Sequence, residues 1–261
     1  MLELSIVIPC LNEEHYIGKL LKCLSVQSFE NFEVIIVDGG SDDSTCQVVE
    51  EFIGKDVLFG KRIKLLISDK KGVSYQRNLG ALEAKAKRLL FLDADVQVKP
   101  TFIHYTMSEI TRKKVDFATV RNLPLSNRAD DKILSSLLNA YITLMQYIEP
   151  VSLGWCIFIS KSSHNKINGF DEEMKYGEDY DYASRAAKNN IKFNVLTSGR
   201  VYFSVRRLTE DGRLATLKRS IMSEINRYTH GKVEQKVFPY KFGQFKEDAE
   251  ADKLENFKRY D

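Results

Sequence analysis

The feature that most constrains this chain is the alternation of strand and helix patterns through its first hundred residues. Residues 4–9 form a short apolar run ended by Pro9, and Ile17, Leu20, Leu21 and Leu24 then recur at helical spacing. Asn12 is placed to cap that helix, with Glu13 and Glu14 in its first turn. Residues 32–37 (FEVIIV) read as a β-branched strand closed by Asp38 and turned by Gly39 and Gly40. Ser41 or Asp42 starts a helix carrying Val48, Val49 and Phe52. Residues 63–68 are a third strand, 73–87 a third helix, and 89–92 a fourth strand. This βαβαβαβ succession predicts an α/β fold with a doubly wound, mainly parallel sheet and right-handed crossovers.

In such sheets ligands bind outside the carboxyl ends of the strands. Asn12 and Glu13 follow the first strand, Asp38 the second, and Asp93 and Asp95 the fourth. Polar groups at three strand ends thus define one crevice.

The second half is less regular. Residues 115–120 look like a strand, 133–148 a long uncharged helix, 154–160 a strand, and 177–188 a helix with an acidic start. Residues 193–196 and 200–205 read as two closing strands. Leu214, Leu217, Ile221, Ile225 and Tyr228 mark an amphipathic helix with Lys218, Arg219 and Arg227 on its other face.

Composition narrows the class. A net charge of +3 is too mild to argue for nucleic acid. Cys10, Cys23, Cys46 and Cys156 show no CxxC pair or metal-finger spacing and read as small hydrophobes in a reducing compartment. The N-terminus lacks a basic leader, and no run reaches the roughly 18 apolar residues of a spanning helix. A cytoplasmic protein is expected. Residues 133–148 read plainly as a helix buried over the sheet. The sharper reading is an interfacial helix at the cytoplasmic membrane face, helped by the basic face at Lys218.

Asp93 and Asp95 close an apolar strand in FLDADV, where unpaired burial of two carboxylates would cost several kcal/mol. Two carboxylates so placed suit a hard divalent cation, Mg²⁺ or Mn²⁺, whose remaining ligands are phosphate oxygens and water. One of the two can bind the ion directly and the other through water or a ligand hydroxyl.

Five motifs occur in order: SIVIPCLNEE, VDGGSDDST, GVSYQRNLG, FLDADV and NGFDEEMKYGEDYDYASR. Together they resemble the inverting family 2 glycosyltransferases of GT-A fold over residues 2–207. The resemblance implies a catalytic domain over 1–207, with a nucleotide-binding half (1–98) and an acceptor-binding half (99–207), and a C-terminal helical extension over 208–261. It implies a nucleoside diphosphate sugar as donor, a glycan or lipid-linked acceptor, and Mn²⁺ or Mg²⁺ with Asp95 as its direct ligand and Asp93 on a metal-bound water or the donor's ribose. Pro9, Asn12, Glu13 and Asp38 would border the nucleotide, and Arg77 would reach its pyrophosphate or base. Asp179 would be the base, Glu178 would contact the acceptor, and Asp181 would cap the helix. Arg206 and Arg207 would bind the diphosphate, as arginine forks do. Trp155 would stack on an acceptor sugar, or sit in the core. Two departures stand out: Gly39 replaces a common base-contacting aspartate, and no histidine follows the last strand where many relatives hold the metal, since His164 and His230 fall elsewhere.

Rival readings are weaker. A nucleotidyltransferase needs a glycine-rich basic loop after the first strand, and PCLNEEH is acidic. Neither GxGxxG nor GxxxxGK[ST] follows it, which disfavours a dehydrogenase and a P-loop enzyme. A degenerate sugar-nucleotide-binding protein is disfavoured by intact Asp93, Asp95 and Asp179.

Overall fold

The computed structural model describes residues 2–55, 58–174, 176–210, 212, 213, 215, 218 and 222. Its elements run β1 (Leu4–Cys10), α1 (Glu14–Ser25), β2 (Phe32–Asp38), α2 (Thr45–Lys55), β3 (Ile63–Ile67), α3 (Val73–Glu83), β4 (Arg88–Leu92) and β5 (Val96–Val98). The second half continues with α4 (Phe102–Lys113), β6 (Phe117–Pro124), α5 (Ala129–Met145), β7 (Cys156–Ser160), α6 (Lys161–Lys166), α7 (Glu178–Lys188), β8 (Phe193–Phe203) and α8 (Arg206–Glu210).

Eight strands form one sheet in the order β3-β2-β1-β4-β7-β6-β8-β5. β3, β2, β1 and β4 are parallel, and β7 enters antiparallel between β4 and β6. Every residue of β1 is buried, which is why its sequence, apart from Ser5, is an apolar run rather than an alternating one. Its alternate residues feed two cores. Leu4, Ile6 and Ile8 join α1 and α4 on one face, while Val7 joins α3, α5 and α7 on the other. Helices on both faces confirm the doubly wound expectation. Gly80 lets α3 lie on β1, since a Cβ there would run into the Val7 side chain.

Several boundaries differ from the sequence expectation. β1 runs through Pro9 to Cys10, because its ladder with β4 has stopped at Val7 and a proline there sits at a one-sided edge. α2 begins at Thr45, not at Ser41 or Asp42, because Asp43 Oδ1 accepts both the Thr45 N–H at 2.9 Å and its hydroxyl at 2.5 Å. The two closing strands are one. In β8 the residues Thr197, Ser198 and Gly199 bulge out between Leu196 and Arg200, while the flanking residues keep pairing with β6. The buried carboxylate of Glu109 on α4 receives the Thr197 and Ser198 N–H groups at 3.0 and 2.8 Å, supplying what the ladder omits. β5, α4 and α6 were not foreseen.

α5 spans Ala129–Met145, displaced toward the N-terminus from 133–148, and it is not fully buried. One face docks through Ser135 and Asn139, which bond Asn122 of β6, and Ile142 and Met145 join the core. Ile133, Leu137 and Leu144 stand 61–63% exposed, with Tyr147 and Ile148 beyond the helix end. No described helix is long and apolar enough to cross a membrane. Cys10 and Cys156 are buried, Cys23 and Cys46 half-buried, and all four are free thiols. Leu214, Leu217, Arg219, Ile221, Ile225, Arg227, Tyr228 and His230 of the expected C-terminal extension lie outside the described residues.

Candidate active site

The loops after β1 and β2 are laced together. The Asn12 N–H donates to Ser41 Oγ at 2.8 Å, Asn12 Oδ1 accepts the Asp42 N–H at 2.9 Å, and the Glu13 N–H donates to Thr45 Oγ1 at 2.8 Å. Asn12 therefore does not cap α1. It sits in the left-handed region at φ 57°, and Glu13 takes the cap position. Asp38 is buried and organises the next turn, accepting the Gly40 and Ser41 N–H groups at 2.9 and 2.8 Å and the Ser41 hydroxyl at 2.5 Å. Gly39 also finds its explanation. A side chain there would meet the Gln76 amide at 3.1–3.3 Å, and that amide is fixed by bonds to the Cys10 and Val37 carbonyls, both at 2.7 Å.

Asp93 and Asp95 lie just past β4, each held by an arginine. Arg77 of α3 is fully buried; its Nη2 donates to Asp93 Oδ1 at 2.9 Å and to the Gly154 carbonyl at 3.2 Å, and its Nη1 to Glu178 Oε1 at 2.9 Å. Arg77 thus points into the protein as a bridge between two carboxylates. Arg206, also buried, begins α8 and places Nη2 2.6 Å from Glu13 Oε1 and 3.0 Å from Asp95 Oδ2, with its guanidinium 4.3 Å from the Tyr16 ring centre. Burial opposes that charge, but Asp95 and Glu13 outweigh it and raise the Arg206 pKa. The Arg207 side chain lies outside those described.

Asp179 sits in the first turn of α7. Its Oδ2 accepts the Gly154 N–H at 2.8 Å and its Oδ1 the Tyr180 N–H at 2.9 Å. Burial and then the neighbouring Glu178 charge push its pKa up to about 7, against the pull of Arg77 and the two N–H groups. Asp181 is not a helix cap. Gly177 occupies that position, and Asp181 pairs with Arg185 Nε at 2.6 Å. Trp155 lies with one indole face stacked on Phe203 at 4.3 Å and 6°, and its carbonyl receives the Asp93 N–H at 3.3 Å. His164 is a core residue, bonded through Nδ1 to the Tyr182 hydroxyl at 2.7 Å, where burial lowers its pKa to about 4.

The fold therefore brings Asp93, Arg77, Glu178 and Asp179 into one group, and Asp95, Glu13 and Arg206 into another. Gln76, Gly154 and Tyr16 were missed. Tyr16, one helix turn after Glu13, was open to inference from spacing; a backbone N–H such as that of Gly154 leaves no trace in a sequence.

The profile of glycosyl transferase family 2 matches residues 5–150, more than half of the chain. The chain belongs to glycosyl transferase family 2. Within the family it is 28% identical over 218 residues to the poly(ribitol-phosphate) β-N-acetylglucosaminyltransferase TarS of Staphylococcus aureus, covering 79% of this chain and 36% of that protein. An uncharacterised glycosyltransferase of Haemophilus influenzae is 36% identical over 94 residues, covering 35% of this chain and 36% of that relative. The chain thus spans about a third of the length of these curated relatives. Among solved structures, S. aureus TarS 1–349 with UDP-GlcNAc superposes with a TM-score of 0.64 at 21% identity, over 90% of this chain and 78% of that one. The mannosyltransferase PcManGT of Pyrobaculum calidifontis with GDP-Man and Mn²⁺ gives 0.70 at 15% identity, over 91% and 67%. These likenesses confirm the GT-A fold.

A divalent cation suits this family 2 site in kind. Asp93 and Asp95 supply hard oxygen donors, and Asp95 already faces a cation in Arg206. Among the described residues no three His, Cys, Asp or Glu side chains converge into a ready-made metal cage. An ion here would have to complete its shell with phosphate and water.

Proposed function

We propose that this family 2 enzyme transfers a sugar from a nucleoside diphosphate sugar to an acceptor hydroxyl by single displacement, with inversion at the anomeric carbon. Residues 1–98 bind the nucleotide, through Pro9, Asn12, Glu13, Asp38 and Asp93, and 99–207 the acceptor. The observation that carries this reading is Arg77, whose nitrogens tie Asp93 at the donor-side strand end to Glu178, next to the Asp179 carboxyl. A base poised near neutrality is what deprotonation of a hydroxyl needs.

Asp179 takes the acceptor proton as the oxygen attacks the anomeric carbon from the side opposite the departing diphosphate. The new carbon–oxygen bond forms as the old one breaks. Glu178 and Trp155 contact the acceptor, and Arg206 and Arg207 neutralise the leaving group. Bound Mn²⁺ or Mg²⁺, held by Asp95 and Asp93, would supply further neutralisation of the diphosphate. Gln76 against Gly39 supports a base pocket unlike that of relatives with an aspartate there. The exposed apolar stripe of α5 supports a lipid-linked acceptor met at a membrane surface.

The test is a panel of UDP- and GDP-sugars with Mn²⁺, reading release of nucleoside diphosphate and the anomeric configuration of the product. Transfer with inversion, lost in Asp179→Asn, is expected. Retention would refute the mechanism, and binding without any turnover would leave a sugar-nucleotide-binding protein.

A further inference from the structure

Two consecutive residues of α3 grip the two ends of the segment that leads into α7. Arg77 holds Glu178 at its far end. Asn78 holds its near end: Oδ1 accepts the Phe170 N–H at 2.8 Å, while Nδ2 donates to the Phe170 carbonyl and to Glu172 Oε1, both at 2.9 Å. One amide side chain bonded to both the N–H and the C=O of a single residue acts like a short piece of neighbouring strand. It fixes that residue in position and in orientation.

Phe170 is placed to pass this constraint on. Its ring is buried, stacked on Tyr182 of α7 at 4.0 Å and 10°, and edge-on to Phe91 of β4 at 5.1 Å and 90°. The Arg77 guanidinium lies 5.1 Å from its centre. From the other side Arg185 of α7 donates to the Ile167 and Gly169 carbonyls, the latter at 2.7 Å. Phe170 is therefore a rigid spacer between α3, β4 and α7.

We infer that Asn78 is a positioning residue: through Phe170 it sets where the first turn of α7 lies, and so where the Asp179 carboxyl meets the acceptor hydroxyl. This rests on the reading of Asp179 as the base. Displacement of a reacting group by about 1 Å can cost on the order of 100-fold in rate. A clasp that served only stability would lower the melting temperature and leave turnover of the folded enzyme intact.

The experiment compares wild type, Asn78→Ala and Asn78→Asp. It measures release of nucleoside diphosphate from UDP-N-acetylglucosamine and from GDP-mannose with Mn²⁺, across pH, alongside thermal unfolding. Asn78→Asp keeps the acceptor for the Phe170 N–H and the size of the side chain, so it reports even where the alanine variant fails to fold. The expected result for Asn78→Ala is a kcat at least tenfold lower, a donor KM within twofold of wild type, and a displaced acidic limb of the kcat profile, with Asn78→Asp in between. A kcat within twofold of wild type in folded variants overturns the inference. So does a loss shared equally between kcat and donor KM. A wild type that releases nothing from either donor overturns the proposed transfer and this inference with it; an active wild type with unaffected variants overturns this inference alone.

Discussion

Arg77 and Glu178 lie 101 positions apart in the chain and meet at 2.9 Å, on side chains 2% and 14% exposed. The same guanidinium reaches Asp93 at 2.9 Å, so one buried cation joins the end of β4 to the start of α7. A cation out of water is tolerable only because two carboxylates and the Gly154 carbonyl answer it.

Removing that cation should therefore cost stability as well as activity. Arg77→Ala leaves two carboxylates without their partner, and a loss of about 3–5 kcal/mol is expected. Arg77→Lys should recover only part, because an ammonium lacks the fork that reaches Asp93 and Glu178 together. Denaturant unfolding of the three proteins checks both statements.

The Asp179 carboxyl carries a defined pH dependence. Its folded pKa of about 7 stands above the ordinary 3.8, so between those values the native state keeps a proton that the unfolded chain has released. Its contribution to stability is full below about pH 4 and is lost as pH rises through 7. Asp179→Asn should thus melt higher than wild type at pH 8, match it more closely near pH 4, and have no transferase activity. In wild type kcat should climb with pH, reaching half its plateau near 7. A variant that melts lower at pH 8 than wild type contradicts this account.

Asp95 is held by Arg206, and Arg206 keeps Glu13 when Asp95 is neutralised. Asp95→Asn is expected to cost about 1–3 kcal/mol of stability while abolishing Mn²⁺-stimulated turnover. Thermal unfolding with and without Mn²⁺ and UDP provides the second readout. The rise in melting temperature on adding both should be present in wild type and absent in the variant.

The exposed Ile133, Leu137 and Leu144 of α5 should bind a lipid surface. Flotation with vesicles containing anionic lipid is expected to carry the protein upward, and Leu137→Glu with Leu144→Glu should abolish this without altering the fold. Failure of the wild type to float removes the membrane reading.

Elements whose pattern repeats over many residues were legible, and elements set by a single distant contact were not. The strands β1 to β4 and the helices between them followed from apolar spacing. The join in β8 could not be seen, because Glu109 of α4, 88 residues before Thr197, stabilises the bulge that looks like a break. Asn12 read as a cap from local preference, yet its side chain is drawn to the Asp42 N–H, 30 positions away. Asp181 and Asp179 share one acidic first turn, and what sets Asp179 apart is the Gly154 N–H, 25 positions away, that its carboxyl accepts at 2.8 Å.

By itself the chain's order of residues determined the layered α/β architecture and the placing of carboxylates at the ends of β1, β2 and β4, because burial periodicity and strand termination are local properties. Tertiary structure alone decided which arginine answers which carboxylate. Arg77 turns inward to Asp93 and Glu178, Arg206 crosses 193 positions to Glu13, and Asn78 clasps Phe170. Such pairs carry no period. They arise where separately specified elements happen to abut, once the two cores on either face of the sheet have closed.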